Sequence, residues 1–163
     1  MNIKSRNIIS NKIKKQLINK LQGIVENPQA ILPKQENVER IVTEKYVLYL
    51  IKGKPILFEI SNRIFPTIHC VREHKMSLPK VIVDLGAIKY IVNGADVMAP
   101  GIVYFDKNIE IDTIVSIHEE KAESVLAIGV SLISAEEFKN RKSGKVIKNV
   151  HHLNDAIWKF SLS

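Results

Sequence analysis

The spacing of apolar residues predicts two blocks of different character along the chain. In the first, Ile13, Leu17, Leu21 and Ile24 recur at helical spacing, widened by Ile18 and Val25, after a Ser10 or Asn11 that can cap a helix. Lys12, Lys14, Lys15 and Lys20 fill the other positions as a solvated face, and Asn27-Pro28 ends the helix. Pro33 and the polar run Lys34 to Asn37 read as a loop. Ile41-Val42 then opens a β region. Tyr46 to Ile51 is β-branched and aromatic, Lys52-Gly53-Lys54-Pro55 turns the chain, and Ile56 to Ile60 returns. Ser61-Asn62-Arg63 is a second turn before Ile64-Phe65, and Pro66 keeps that element off the centre of a sheet. Thr67 to Met76 fits either a short helix or irregular packing, and Leu78-Pro79 marks a boundary.

The second block opens with Val81-Ile82-Val83, which suits a buried strand. Asp84 can accept from the free N–H groups of a new helix whose apolar face is Leu85, Ile88, Ile91 and Val92. Asn93-Gly94 stops it, and Ala99-Pro100-Gly101 punctuates again before a strand over Ile102 to Phe105. Asp106-Lys107-Asn108 is a turn, Thr113 to His118 a strand and Glu119 to Ser124 a charged hairpin loop. Val125 to Ile133 alternates bulky Leu126, Ile128, Val130 and Leu132 with smaller residues, as a strand with one core face and one face open to close neighbours. Ser134-x-x-Glu137 is a capping box for a short helix through Phe138. Val146 to His151 and Ala156 to Phe160 are expected as the last two strands, joined through Leu153-Asn154-Asp155. Gly86, Gly94 and Gly101 lie at the corners of this block, where a flat or charged ligand could approach the main chain; by spacing alone they serve turns. There are no internal repeats.

With 45% hydrophobic residues in 163, the chain can bury a real core, which argues against a disordered chain. The net charge of +7 is unevenly placed. Residues 1–79 hold 14 Lys/Arg against 6 Asp/Glu, a balance of +8, and residues 80–163 hold 10 against 11, a balance of −1. Within the second half, Lys139, Arg141, Lys142, Lys145 and Lys148 have no acid among them, whereas Asp106 to Glu123 is acidic. Such asymmetry fits a polyanionic partner on one face. Cys70 stands alone, which excludes an internal disulfide and a thiolate zinc site and fits a reducing compartment. The first residues lack a signal-peptide core and no run reaches membrane-spanning length. The expectation is a cytoplasmic monomer with no membrane contact.

Two long patterns sharpen this. Val83-Asp84-x-Gly86-Ala87-x-Lys89, then Asn93-Gly94-Ala95-Asp96-x-Met98-x-Pro100-Gly101, resembles the opening of a PUA domain, an RNA-binding module. Phe65-Pro66-Thr67-Ile68 with Leu78-Pro79, and the closing Gly144-x-x-Ile147-x-Asn149-x-His151-x-Leu153-Asn154-Asp155-x-x-Trp158, resemble the malignant T-cell amplified sequence family over essentially the whole chain. The resemblance implies an α+β protein of archaeal-type layout. A pre-PUA domain, a helix plus antiparallel sheet, would occupy residues 1–78. A PUA-type β pseudo-barrel with short helices would occupy residues 79–163. It also implies a translation role on the small ribosomal subunit, with a separate protein partner that carries an initiation-factor-one-like domain. PUA domains elsewhere bind tRNA or guide RNA. The candidate RNA contacts are the main chain at Gly86, Gly94, Ala95 and Gly101, and the cations Lys89, Arg141, Lys142, Lys145 and Lys148.

No phosphate loop, dinucleotide fingerprint or zinc-protease helix is present, so no cofactor is expected. Cys70 beside His69 reads as a packing residue. His151 and His152, as strand neighbours, would point to opposite faces, one packed and one at the surface. Asp84 reads as a helix cap and Asp155 as closing the last turn. Trp158 belongs to a core-facing Ala156/Trp158/Phe160 alternation, and Tyr46, Tyr49 and Phe58 fit core packing better than a docking patch. The sequence therefore predicts a non-enzymatic RNA-binding protein, with an accessory tRNA-binding role or a protein-interaction module as the alternatives.

Overall fold

Two tight hairpins organise the first sheet. Lys52 and Gly53 (φ 51° and 79°), and Ser61 and Asn62 (φ 50° and 63°), form two-residue loops with both residues at positive φ, whose twist matches that of the strands they join. The computed structural model describes residues 1–73 and 76–162. In it, β1 (Ile3–Ile8), β2 (Glu39–Thr43), β3 (Val47–Ile51), β4 (Lys54–Ile60) and β5 (Arg63–Pro66) form an antiparallel sheet in sequence order. The expected turn Lys52 to Pro55 is shorter than read. Lys54 and Pro55 already belong to β4, and a register shift at Tyr49/Leu50 accommodates the proline that has no N–H for the ladder. Pro66 lies on the edge strand, as its missing donor requires. Phe58 is fully buried and stacks on Phe65 at 5.3 Å, and Tyr49 is also buried, so these two aromatics are core. Such a stack contributes about 0.5–1.5 kcal/mol beyond burial. Burial and the neighbouring Glu59 carboxylate, which accepts from the Tyr49 hydroxyl at 3.0 Å, push that phenol up to about 12.

The first helix, α1 (Asn11–Leu21), is capped by the Ser10 hydroxyl, which accepts from Ile13 N. It ends earlier than the expected Asn27. Gly23 sits at φ +82° and the chain folds back, with Ile24 N and Val25 N both donating to Leu21 O. Lys14 departs from its expected place on a wet face. It is buried, and its ammonium donates to the carbonyls of Pro33, Lys34 and Glu36 at 3.3, 3.3 and 2.6 Å, pinning the loop after α2 (Pro28–Ile31). Strand β1 was not predicted; all six of its side chains are exposed, so it has no apolar alternation to read. The ambiguous stretch Thr67 to Met76 contains a helix, α3 (Ile68–Arg72), capped by Thr67, with Cys70 buried in it. Residues 74 and 75 of that stretch, and residue 163, lie outside the described residues.

The second sheet is the expected pseudo-barrel. Its strands are β6 (Lys80–Val83), β7 (Val97–Met98), β8 (Ile102–Phe105), β9 (Ile114–Glu119), β10 (Val125–Ser131) and β11 (Lys145–His152), in the order β7-β11-β10-β9-β6-β8. β6 and β9 run parallel and every other pair antiparallel. Strand β10 is buried along its whole length, on both faces. The close approach expected there is real: a Cβ on Gly129 would lie 2.6 Å from Ile147 Cγ2 and 2.8 Å from Lys148 O. The short helices are α4 (Ile88–Ile91), α5 (Ala135–Phe138), capped by Ser134 as expected, and α6 (Ala156–Leu162).

Helix α6 overturns the expected final strand. Asp155 Oδ1 accepts from Trp158 N at 2.8 Å, an N-cap bond, and Ile157 is buried whereas Ala156 is exposed and Trp158 half-buried. The Ala156/Trp158/Phe160 alternation is therefore not a core face. By contacts the chain divides into Met1–Ser77 with the residues from Lys159 onward, and Leu78–Trp158. Among the described residues no helix is long and apolar enough to cross a membrane.

Candidate nucleic-acid interface

The corner after β6 is built by one carboxylate. Asp84 Oδ1 accepts from Ala87 N at 3.0 Å and shapes a 3₁₀ turn, Leu85–Ala87, that runs into α4. Asp84 N donates to Gly101 O at 2.9 Å, which ties this corner to the one before β8, and a Cβ on Gly101 would lie in ordinary contact with Ala87 Cβ at 3.5 Å. Leu85 N donates to Glu120 Oε1 of the β9–β10 loop. At the other end of α4, Gly94 takes φ +94°. Its N–H donates to Ile91 O and that of Ala95 to Tyr90 O, each at 3.0 Å. These two N–H groups, expected to face a ligand, are therefore engaged within the chain.

Between these corners lies a groove of about 750 Å³. Ile91 and Val97 are its buried apolar residues, Tyr90 and Met98 its exposed ones, and Asp84 and Asp96 its carboxylates. The sequence-predicted Gly86, Ala95, Gly101 and Lys145 line it too, and Gly94 adjoins it. Lys145 reaches it because it stands across the ladder from Met98. Lys145 Nζ pairs with Asp96 Oδ2 at 2.7 Å while Asp96 Oδ1 accepts from Asn149 N at 2.7 Å. Partial burial pushes the Asp96 carboxyl up, but these bonds and the charges of Lys145 and Lys148 outweigh it and hold the group below the usual carboxylate range. Lys148 is exposed on β11 and near enough for Asp96 to feel its charge. Lys89 is exposed, with its ammonium 5.0 Å from the centroid of the Tyr90 ring. Arg141 and Lys142 are exposed on the turn between α5 and β11 and do not line the groove.

Several contributors escaped the sequence. Asn149 donates through Nδ2 to Ile91 O (3.0 Å) and Ala95 O (2.9 Å), so β11 holds the Gly94 corner from beneath. Tyr90 was passed over because it falls off the apolar face of α4; a large aromatic off the buried face was the available signal. Of the adjacent histidines, His151 is buried and bonded to Asp155 at 2.7 Å, as expected of the packing member. His152 is only half-buried, and its ring lies against Gly94, where a Cβ would sit 3.1 Å from Nε2. Ser116 and His118 are bonded at 2.8 Å; both are buried, and the other ring nitrogen bonds the Glu123 carbonyl, so both ring nitrogens are engaged within the chain. Burial, partly offset by the Glu123 contact, keeps the His118 pKa below the usual histidine range.

The PUA domain family matches residues 79–153, and the Pre-PUA-like domain family matches residues 1–74. The chain is 37% identical to an uncharacterized protein of Methanocaldococcus jannaschii over 98% of this chain and 99% of that one. It is 32% identical to translation machinery-associated protein 20 of Saccharomyces cerevisiae, over 98% of this chain and 92% of that protein. It is also 32% identical to malignant T-cell-amplified sequence 1 of Rattus norvegicus, over 90% and 83% respectively. The crystal structure of a hypothetical protein from Pyrococcus horikoshii has a TM-score of 0.83 at 32% identity, covering 96% of this chain and 99% of that one. The chain thus belongs to the family of two-domain Pre-PUA and PUA proteins that includes translation machinery-associated protein 20 and malignant T-cell-amplified sequence 1.

Proposed function

We propose that this protein is a non-enzymatic, RNA-binding translation factor of the cytoplasm that engages RNA of the small ribosomal subunit. In this reading residues 79–163 hold the RNA and residues 1–78 serve a protein partner. The observation that supports it is the groove beside the Gly86 and Gly94 corners, with Lys145 and Lys148 at one side and Lys89 beside Tyr90, in the PUA-matching part of a chain whose relatives are named for the translation machinery. Cations placed around a mostly apolar groove position phosphates, and the groove itself admits unpaired nucleotides rather than a duplex.

The test is sedimentation with purified small subunits at low and moderate salt. Co-migration that weakens with salt is expected. If about four phosphates are contacted, the log–log salt slope is about −3, taking roughly −0.7 per contact on single strands. Absence from the small-subunit fraction at both salts removes the ribosomal reading. Comparing intact tRNA with tRNA lacking its 3′ end tests the accessory tRNA role; equal affinity argues against that alternative.

A further inference from the structure

β1 is the only strand among the described residues with every side chain exposed. It ends the five-stranded sheet, so only one of its edges is hydrogen-bonded, to β2. It gains almost nothing from burial, yet it carries Ile3 and Ile8 at 44% and 59% exposure. An open edge of this length is a template for another strand, and native sheets usually guard it.

Here the guards are Lys4 and Arg6, with a register shift between Ile3 and Ser5. They act first against a second copy of the chain. Antiparallel pairing across a two-fold axis can be centred on Ser5, which sets Lys4 against Arg6 twice. Centring it on Lys4 or on Arg6 sets a cation against its own copy. Like charges directly opposite one another destabilise a ladder. The same two cations favour a strand with carboxylates at alternate positions. Arg6 engages Glu39 through Nε at 2.6 Å, while Lys4 has no ion pair among the described residues. Residues 1–79 as a whole hold a balance of +8, which favours an acidic partner for this part of the chain. RNA would use the cations but neither the alternating N–H and C=O groups of the edge nor the isoleucines.

We propose that the free edge of β1 docks an extended, acidic segment of another protein, added as a sixth strand, with carboxylates facing Lys4 and Arg6. Six paired residues bury far less than the roughly 1,600 Å² of a standard interface, so the contact is weak unless the partner continues beyond it.

The experiment is amide-resolved NMR on the isotope-labelled full chain with the peptide acetyl-Thr-Val-Glu-Val-Glu-Val-Thr-amide, its lysine-for-glutamate counterpart, and an acidic version N-methylated at alternate amides. The acidic peptide is expected to shift and protect the amides of Ile3 to Ile8, with about tenfold preference over the lysine peptide. N-methylation is expected to abolish binding, and Lys4→Glu/Arg6→Glu to reverse the preference. Lys4→Glu alone, which breaks no ion pair, is expected to reduce it with unfolding unchanged. No shift at β1, equal binding of the two charged peptides, or retained binding after N-methylation overturns the proposal. A single-stranded oligonucleotide that protects these amides better than the peptide assigns the edge to RNA and also overturns it. None of these outcomes depends on the groove.

Discussion

Gly94 is held by two constraints at once, a left-handed backbone and the His152 ring against the place of its Cβ. Gly94→Ala is expected to cost about 1–3 kcal/mol, read as a lower urea midpoint, because an L side chain is strained there whatever the space. Lys14→Met keeps the length of the side chain but deprives three carbonyls of their donor; a loss of about 1–3 kcal/mol is expected by the same measurement. Asp155 supplies a pH dependence. Burial pushes its carboxyl up, but the His151 hydrogen bond and charge and the N–H groups of Trp158 and His152 outweigh this and lower it. A carboxyl depressed in the folded state stabilises fully above its unfolded pKa, about 3.9, and that contribution fades as pH falls through the folded value. The stability advantage of the native chain over Asp155→Asn, followed by chemical unfolding, should therefore be constant near neutrality and shrink below about pH 4.

At the scale of elements, legibility followed burial and caps. The expected Ser10, Asp84 and Ser134 caps all act, Asp84 on a 3₁₀ turn that runs into α4, because a short polar side chain before an apolar run suits the free N–H groups of a helix start. Thr67, which caps α3, lay in a stretch the sequence left ambiguous. Helix α6 was misread because five residues cannot separate a two-residue period from a helical one. Asp155, read only as closing a turn, was in fact its cap. Strand β1 was invisible because none of its side chains is buried, which leaves no apolar alternation to read. The groove was half legible. Its glycines stand in a recognisable pattern and Lys145 in a cluster of cations, but the roles of Asp96 and Asn149, both within the quoted patterns, come from bonds to residues distant in sequence, and Tyr90 lies off the apolar face. Lys145 also differs from its neighbours in role, since its ammonium is already paired. Lys142→Glu and Lys148→Glu are expected to weaken RNA binding, each reducing the salt slope by about 0.7 if it removes one phosphate contact, and Lys142→Glu to do so without lowering the unfolding temperature. Lys148→Glu brings a like charge near Asp96 and should cost some stability. Lys145→Glu should lower both affinity and stability, because it faces Asp96 with a like charge. Unchanged affinity in all three folded variants would move the interface elsewhere.

For the molecule as a whole, the proposed function would divide attraction and choice between the two halves. Residues 1–79 hold a balance of +8 and residues 80–163 one of −1, yet the groove is in the second half. A net positive charge draws any polyanion and is screened by salt, whereas a shaped groove discriminates. The ratio of affinities for small-subunit RNA over polyuridylate is therefore expected to rise as salt is raised, measured by competition. A ratio independent of salt would mean that charge alone governs binding.

Asn149 clasps carbonyls 58 and 54 positions earlier in the chain. During synthesis, which runs from the N-terminus, the Gly94 corner has been made long before the side chain that steadies it. The corner can therefore take its final shape only once β11 has been made, so a chain interrupted within β11 would carry an unsteadied Gly94 turn.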